Sequence, residues 1–155
     1  MTTGIPNKNT STSVNTFARI VKKVEQVKNS DITLALDDEL FASLKANKTY
    51  AFILGFFLNS GVTPDMKYTF QSPTGTTGLF IDTNWSSTSP SNTRILTSIP
   101  QLTTGANDAV LMISGLVKVG STAGIFGIQW AQNVLDAGDT KVLQGSFLII
   151  WEETA

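Results

Sequence analysis

The chain contains no histidine and no cysteine. A Ser–His–Asp triad, a cysteine nucleophile, a zinc finger, a histidine-ligated metal and a disulfide framework are therefore excluded. Charge is also scarce. Asp, Glu, Lys and Arg make up 15% of the 155 residues, well below the roughly 25% of ordinary soluble domains. No apolar run approaches the roughly 18 residues of a membrane-spanning helix, so no membrane partner is expected. The first sixteen residues are polar and lack the apolar stretch of a secretory signal. A net charge of -1 argues against nucleic acid as a general partner.

Neutral polar residues take the place of charge. There are 21 Thr, 14 Ser and 10 Asn. Threonine favours strands, while serine and asparagine favour turns. The length suits one domain with a core of its own. The charges that exist are unevenly placed. Residues 1–28 carry five basic side chains against one acid, and the remainder six against eleven. Residues 1–16 form a Thr/Ser/Asn-rich stretch with Gly4 and Pro6, expected to be a flexible, extended N-terminal arm. Residues 17–155 are expected to form a single β-sandwich domain.

Periodicity supports strands along the rest of the chain. Phe17–Lys28 is Val-rich and ends at the turn-like Asn29-Ser30-Asp31. A strand is preferred there, with a short amphipathic helix as the alternative. Ile32–Leu44 is punctuated by leucines and interrupted by Asp37-Asp38-Glu39, expected as a solvated turn. Tyr50–Leu58 is a nine-residue apolar run, the length of a strand covered on both faces. Met66–Gln71 alternates apolar and polar residues, as a half-buried strand does. Further strands are expected at Gly78–Asp82, Arg94–Ile99, Ala109–Val119, Ala123–Ala131 and Val142–Trp151. Turn residues separate them every 8–14 positions. The expected architecture is all-β: an antiparallel, jelly-roll-like β-sandwich of about eight to ten strands.

Candidate chemistry is thin. Asp37-Asp38-Glu39 lacks the ligand spacing of a calcium loop, and no metal or cofactor is expected. A glycosidase needs two carboxylates at a defined separation across a cleft, and isolated acids such as Asp65 and Asp82 give no sequence sign of such a pair. Gly75-Thr76-Thr77-Gly78 lacks a phosphate-loop pattern and is expected to be a hairpin turn. Tyr68 and Trp130 lie on alternating strands and are expected inside. Trp85 opens a polar loop and is the aromatic best placed for an outside contact. No enzyme is expected.

Three stretches carry a resemblance. They are DDEL…KANKTY over residues 37–50, TPDMKYTFQSPTGTTG over 63–78, and ISGL, TAG and QWAQN between 113 and 133. Together they resemble small structural proteins of tailed bacteriophage virions, over about residues 30–152. The resemblance implies a non-enzymatic virion component on the outer surface of the phage head, assembled in the host cytoplasm. A capsid decoration, or cement, protein is the leading expectation. It would bind the major capsid protein, associate with itself as a homotrimer, and stabilise the shell. The alternative is a tail- or fibre-associated module that binds a host-surface glycan. Candidate partner-binding residues are Ile5, Phe17, Arg19, Lys22, Lys23 and Trp85.

Overall fold

Alternating and continuous apolar runs place most of this chain in strands, and a computed structural model bears that out. It describes residues 12–13, 17–84, 92–102 and 108–153, with positions 12–13, 84 and 92 as backbone only. Every regular element among the described residues is a strand. They are β1 (Thr12–Ser13), β2 (Phe17–Val21), β3 (Gln26–Asn29), β4 (Ala35–Leu44), β5 (Thr49–Asn59), β6 (Met66–Gln71) and β7 (Thr77–Asn84). There follow β8 (Asn92–Ile95), β9 (Gln101–Leu102), β10 (Ala109–Lys118), β11 (Gly124–Gln132), β12 (Asp139–Val142) and β13 (Phe147–Glu153). The total exceeds the expected eight to ten because short pieces of two to four residues pair at the margins.

Two sheets form the sandwich. The smaller has the order β1-β4-β11-β6-β9, and the larger contains β2-β13-β5-β10-β7-β8. The pairs β4–β11, β5–β10, β6–β9 and β7–β8 are all antiparallel. They nest inside one another like the rungs of a single long hairpin. Successive strands from β4 to β7 alternate between the two sheets, as do those from β8 to β11. This is the rolled-up ribbon of a jelly roll. Among the described residues the one parallel contact is β1 beside β4, which gives Thr12–Ser13 of the expected arm a place on the sheet edge.

The core lies between the sheets. Phe52 and Phe80 from the larger sheet meet Phe70 and Phe126 from the smaller, with ring centroids 5.0–5.2 Å apart. All three contacts are edge-to-face, a geometry favoured by the ring quadrupole. Tyr68 and Trp130 are buried here as expected.

Two segments depart from the sequence expectation. The Phe17–Lys28 strand is broken into β2 and β3, and Val142–Trp151 into β12 and β13. Both breaks fall side by side. The Lys22 N–H donates to the Ser146 carbonyl at 2.7 Å, and the Gly145 N–H to the Lys22 carbonyl at 2.9 Å. Gly145 has φ 92°, the left-handed region that glycine enters freely. Ser146 mends the gap: its hydroxyl accepts from the Phe57 N–H and donates to the Leu143 carbonyl.

The acidic triplet is the second correction. It lies within β4 and is not a solvated turn. Leu36 pairs with Gln129 and Phe41 with Gly127, so four residues of β4, Asp37 to Leu40, stand opposite Ile128 alone. The bulge turns Asp37 fully inward, while Asp38 stays exposed.

Candidate functional site: the outer face of the larger sheet

Two polar clusters sit inside the sandwich, and both are fully occupied in holding it together. In the first, the Lys22 ammonium lies 2.9 and 3.0 Å from the two oxygens of Asp37. Lys22 is 1% exposed and Asp37 0%. The same carboxylate accepts from the Trp130 indole N–H at 3.1 Å and from the N–H groups of Glu39 and Leu40 at 3.0 Å. Lys28 stands over the Trp130 ring, 5.4 Å from its centroid, and binds Asp31 and the Thr33 carbonyl. The Asp31 carboxyl is held below its ordinary value, first by the hydrogen bond from the Thr33 N–H and then by Lys28.

In the second cluster, the Tyr68 hydroxyl donates to Asp82 at 2.5 Å and Arg94 Nε donates to the same oxygen at 2.7 Å. Tyr68 belongs to the smaller sheet, and Asp82 and Arg94 to the larger, so the cluster ties the layers together. Burial, then the bond to Asp82, pushes the Tyr68 phenol well above its ordinary 10.0. No group of three or more acidic, histidine or cysteine side chains able to hold a metal occurs among the described residues.

The outward face of the larger sheet is different in kind. Strand pairing aligns its side chains in rows. One row runs Phe17–Trp151–Ala51–Leu116–Leu79–Ile95 across six strands. Phe17, Leu116, Leu79 and Ile95 are each 53–61% exposed. The next row is Arg19–Ile149–Ile53–Ser114–Ile81–Thr93, and the third Val21–Phe147–Gly55–Met112–Thr83. Of these seventeen positions only Arg19 is charged. A fourth row holds Phe57 beside Val110, and Phe57 meets Phe147 edge to face at 6.2 Å.

Outward positions of the smaller sheet are mostly polar in contrast, with Gln71, Gln129, Lys67 and Gln101 among them. Polar residues normally cover the solvent side of an antiparallel sheet. Large exposed apolar faces are uncommon on monomeric proteins. The lack of charge matches the centre of protein interfaces, where charged residues are depleted.

The residues singled out from sequence are scattered relative to this face. Phe17 and Arg19 lie on it, at its β2 edge. Lys22 is buried against Asp37 and offers no surface for a partner, because the carboxylate needs its charge inside. Lys23 is exposed, and its N–H donates to Glu39 Oε2 at 3.0 Å. Ile5 and Trp85 lie outside the described residues. Leu79, Ile81, Leu116 and Ile95 were missed. The signal was present in Leu79-Phe80-Ile81 and Val110-Leu111-Met112-Ile113, where both parities of a strand are apolar.

No protein-family model matches the chain, and no curated protein matches it.

Proposed function

We propose that this chain is a non-enzymatic building block of a larger assembly, working through the apolar outer face of its larger sheet. The observation that carries this is the six-strand row from Phe17 to Ile95, which has no charge and exposes Phe17, Leu116, Leu79 and Ile95. Water contact along such a face is costly, at about 25 cal/mol per Å² of apolar surface, and burial against protein removes that cost. The resemblance over residues 30–152 supplies the setting. We propose a capsid decoration protein of a tailed bacteriophage, attached to the outer shell as an oligomer and stabilising it by buried area and multivalency. Lys22 and Lys28 are buried and spent on ion pairs, and the exposed Arg19 and Lys23 are the basic side chains that suit attraction to an acidic shell surface.

The test is stoichiometry in purified phage particles, by quantitative mass spectrometry against the major capsid protein. Copy numbers comparable to the capsid protein, or a fixed simple fraction of it, are expected. A handful of copies per particle would remove the protein from the shell and make a tail or fibre position, with glycan binding, the next question.

A further inference from the structure

We infer that the occupant of the apolar face is a second copy of this chain, packed face to face about a two-fold axis that runs along the strands between β5 and β10. This pairing rests on the assembly role proposed above and names its first partner.

Size is the first support. The four rows hold nineteen positions, which cover roughly 620 Å² at ordinary strand spacings, at the lower end of what one partner of a standard specific interface buries.

Shape is the second. The axis along the strands places each row against the same row of the other copy and reverses the strand order. β2 then faces β8, β13 faces β7, and β5 faces β10. Ala51 meets Leu116, Ile53 meets Ser114, Trp151 meets Leu79, and Phe147 meets Thr83. Small residues oppose large ones at Ala51–Leu116, Ile53–Ser114, Gly55–Met112 and Phe147–Thr83, where side chains can interdigitate, and the apolar pairs Trp151–Leu79, Phe17–Ile95 and Ile149–Ile81 meet between them.

Charge is the third. Arg19, at the β2 edge, faces the neutral Thr93. The other in-plane two-fold, across the strands, sets Arg19 against Arg19 and Leu116 against Met112, while Ala51 faces Gly55. Like charges and large side chains would collide there, and small ones would leave voids. An isologous contact of this kind closes with two copies. The dimer turns the polar smaller sheets outward and carries two N-terminal segments, which makes it a bivalent clamp for neighbouring shell subunits.

The first measurement is size-exclusion chromatography with light scattering on the full chain. The wild type is expected at twice the monomer mass. Leu79→Glu puts a carboxylate opposite the partner's Trp151 and is expected to weaken pairing by at least about a hundredfold. Its circular dichroism should be unchanged, because Leu79 is already exposed.

The second measurement uses the absence of native cysteine. Ser114→Cys places two thiol-bearing positions about 11 Å apart across the axis, while Arg19→Cys places them about 26 Å apart, given strand and sheet spacings. A short bis-maleimide should cross-link the first variant and not the second. A monomeric or trimeric wild type, a dimer indifferent to Leu79→Glu, or cross-linking of Arg19→Cys in place of Ser114→Cys would each overturn the pairing. A monomeric wild type whose Leu79→Glu variant no longer attaches to particles would sink the dimer and leave the assembly role standing.

Discussion

Replacing Asp37 by alanine removes the carboxylate on which residues 22, 39, 40 and 130 converge. Lys22 is then left inside with the Gln26 side-chain oxygen at 3.3 Å and Glu39 at 3.8 Å. Breaking a buried pair from one side costs about 3–5 kcal/mol, and the orphaned Trp130 N–H adds to that within the usual 1–3 kcal/mol range. Because these contributions share one site they do not sum. A loss of about 4 kcal/mol is expected, a large part of the 5–15 kcal/mol that holds a typical domain. At about 2–4 °C per kcal/mol for a chain of this size, Tm should fall by about 8–16 °C. Urea unfolding followed by tryptophan fluorescence reads this directly, since Trp130 sits at the perturbed site. Asp38→Ala is the control. Its side chain is exposed, and it should stay within about 0.5 kcal/mol of wild type. The pair Lys22→Met with Asp37→Leu should recover more than half of the single-mutant loss, because no uncompensated ion remains. An Asp37→Ala variant within about 1 kcal/mol of Asp38→Ala would refute the claim that the ion pair anchors β2 and β3 to β4.

Tyr68→Phe tests the link between the layers. The folded-state phenol is raised above 10.0, so its contribution is complete below that pH and is lost as pH rises towards the folded value. Above pH 10 this residue should cost wild type up to about 1.4 kcal/mol per pH unit, and the variant should lack that component. Superimposable stability–pH curves would contradict it. Gly115→Ala should destabilise by at least about 1–3 kcal/mol, because a Cβ there would stand 2.4 Å from the Leu79 carbonyl oxygen; a melting curve like that of wild type would show that β7 and β10 can part without penalty.

How much of this was visible in the sequence differs by feature. Strong local patterns were enough for β5, β6, β10 and β11, and for the inward placement of Tyr68 and Trp130. The ends of elements were harder. Asp37-Asp38-Glu39 looks like a turn because acids usually seek water. Its partners, Lys22 and Trp130, are 15 and 93 residues away, so no local window contains the reason for burying it. The same distance hid the apolar face. Its first row draws on residues 17, 51, 79, 95, 116 and 151, which become neighbours only through the register of five strand pairs. What could be read was the ingredient, strands such as β7 and β10 that offer apolar residues on both sides. Which side met a core and which met solvent required the fold. Lys22 failed as a surface candidate for a related reason: beside Lys23 it looks like half of a basic patch, yet the break after β2 sends the two in opposite directions.

The position of β13 has a consequence for biosynthesis. It lies between β5 and β2, so β2 has no strand partner until residues 147–153 have been made. Phe17, Trp151 and the edge of the apolar face come into register only with that late event. A nascent chain can roll up the ribbon from β4 to β11 while its sticky surface is still incomplete. Until β13 arrives, β5 keeps an open edge along residues 49–55, and an open strand edge is a template for pairing with a neighbouring chain.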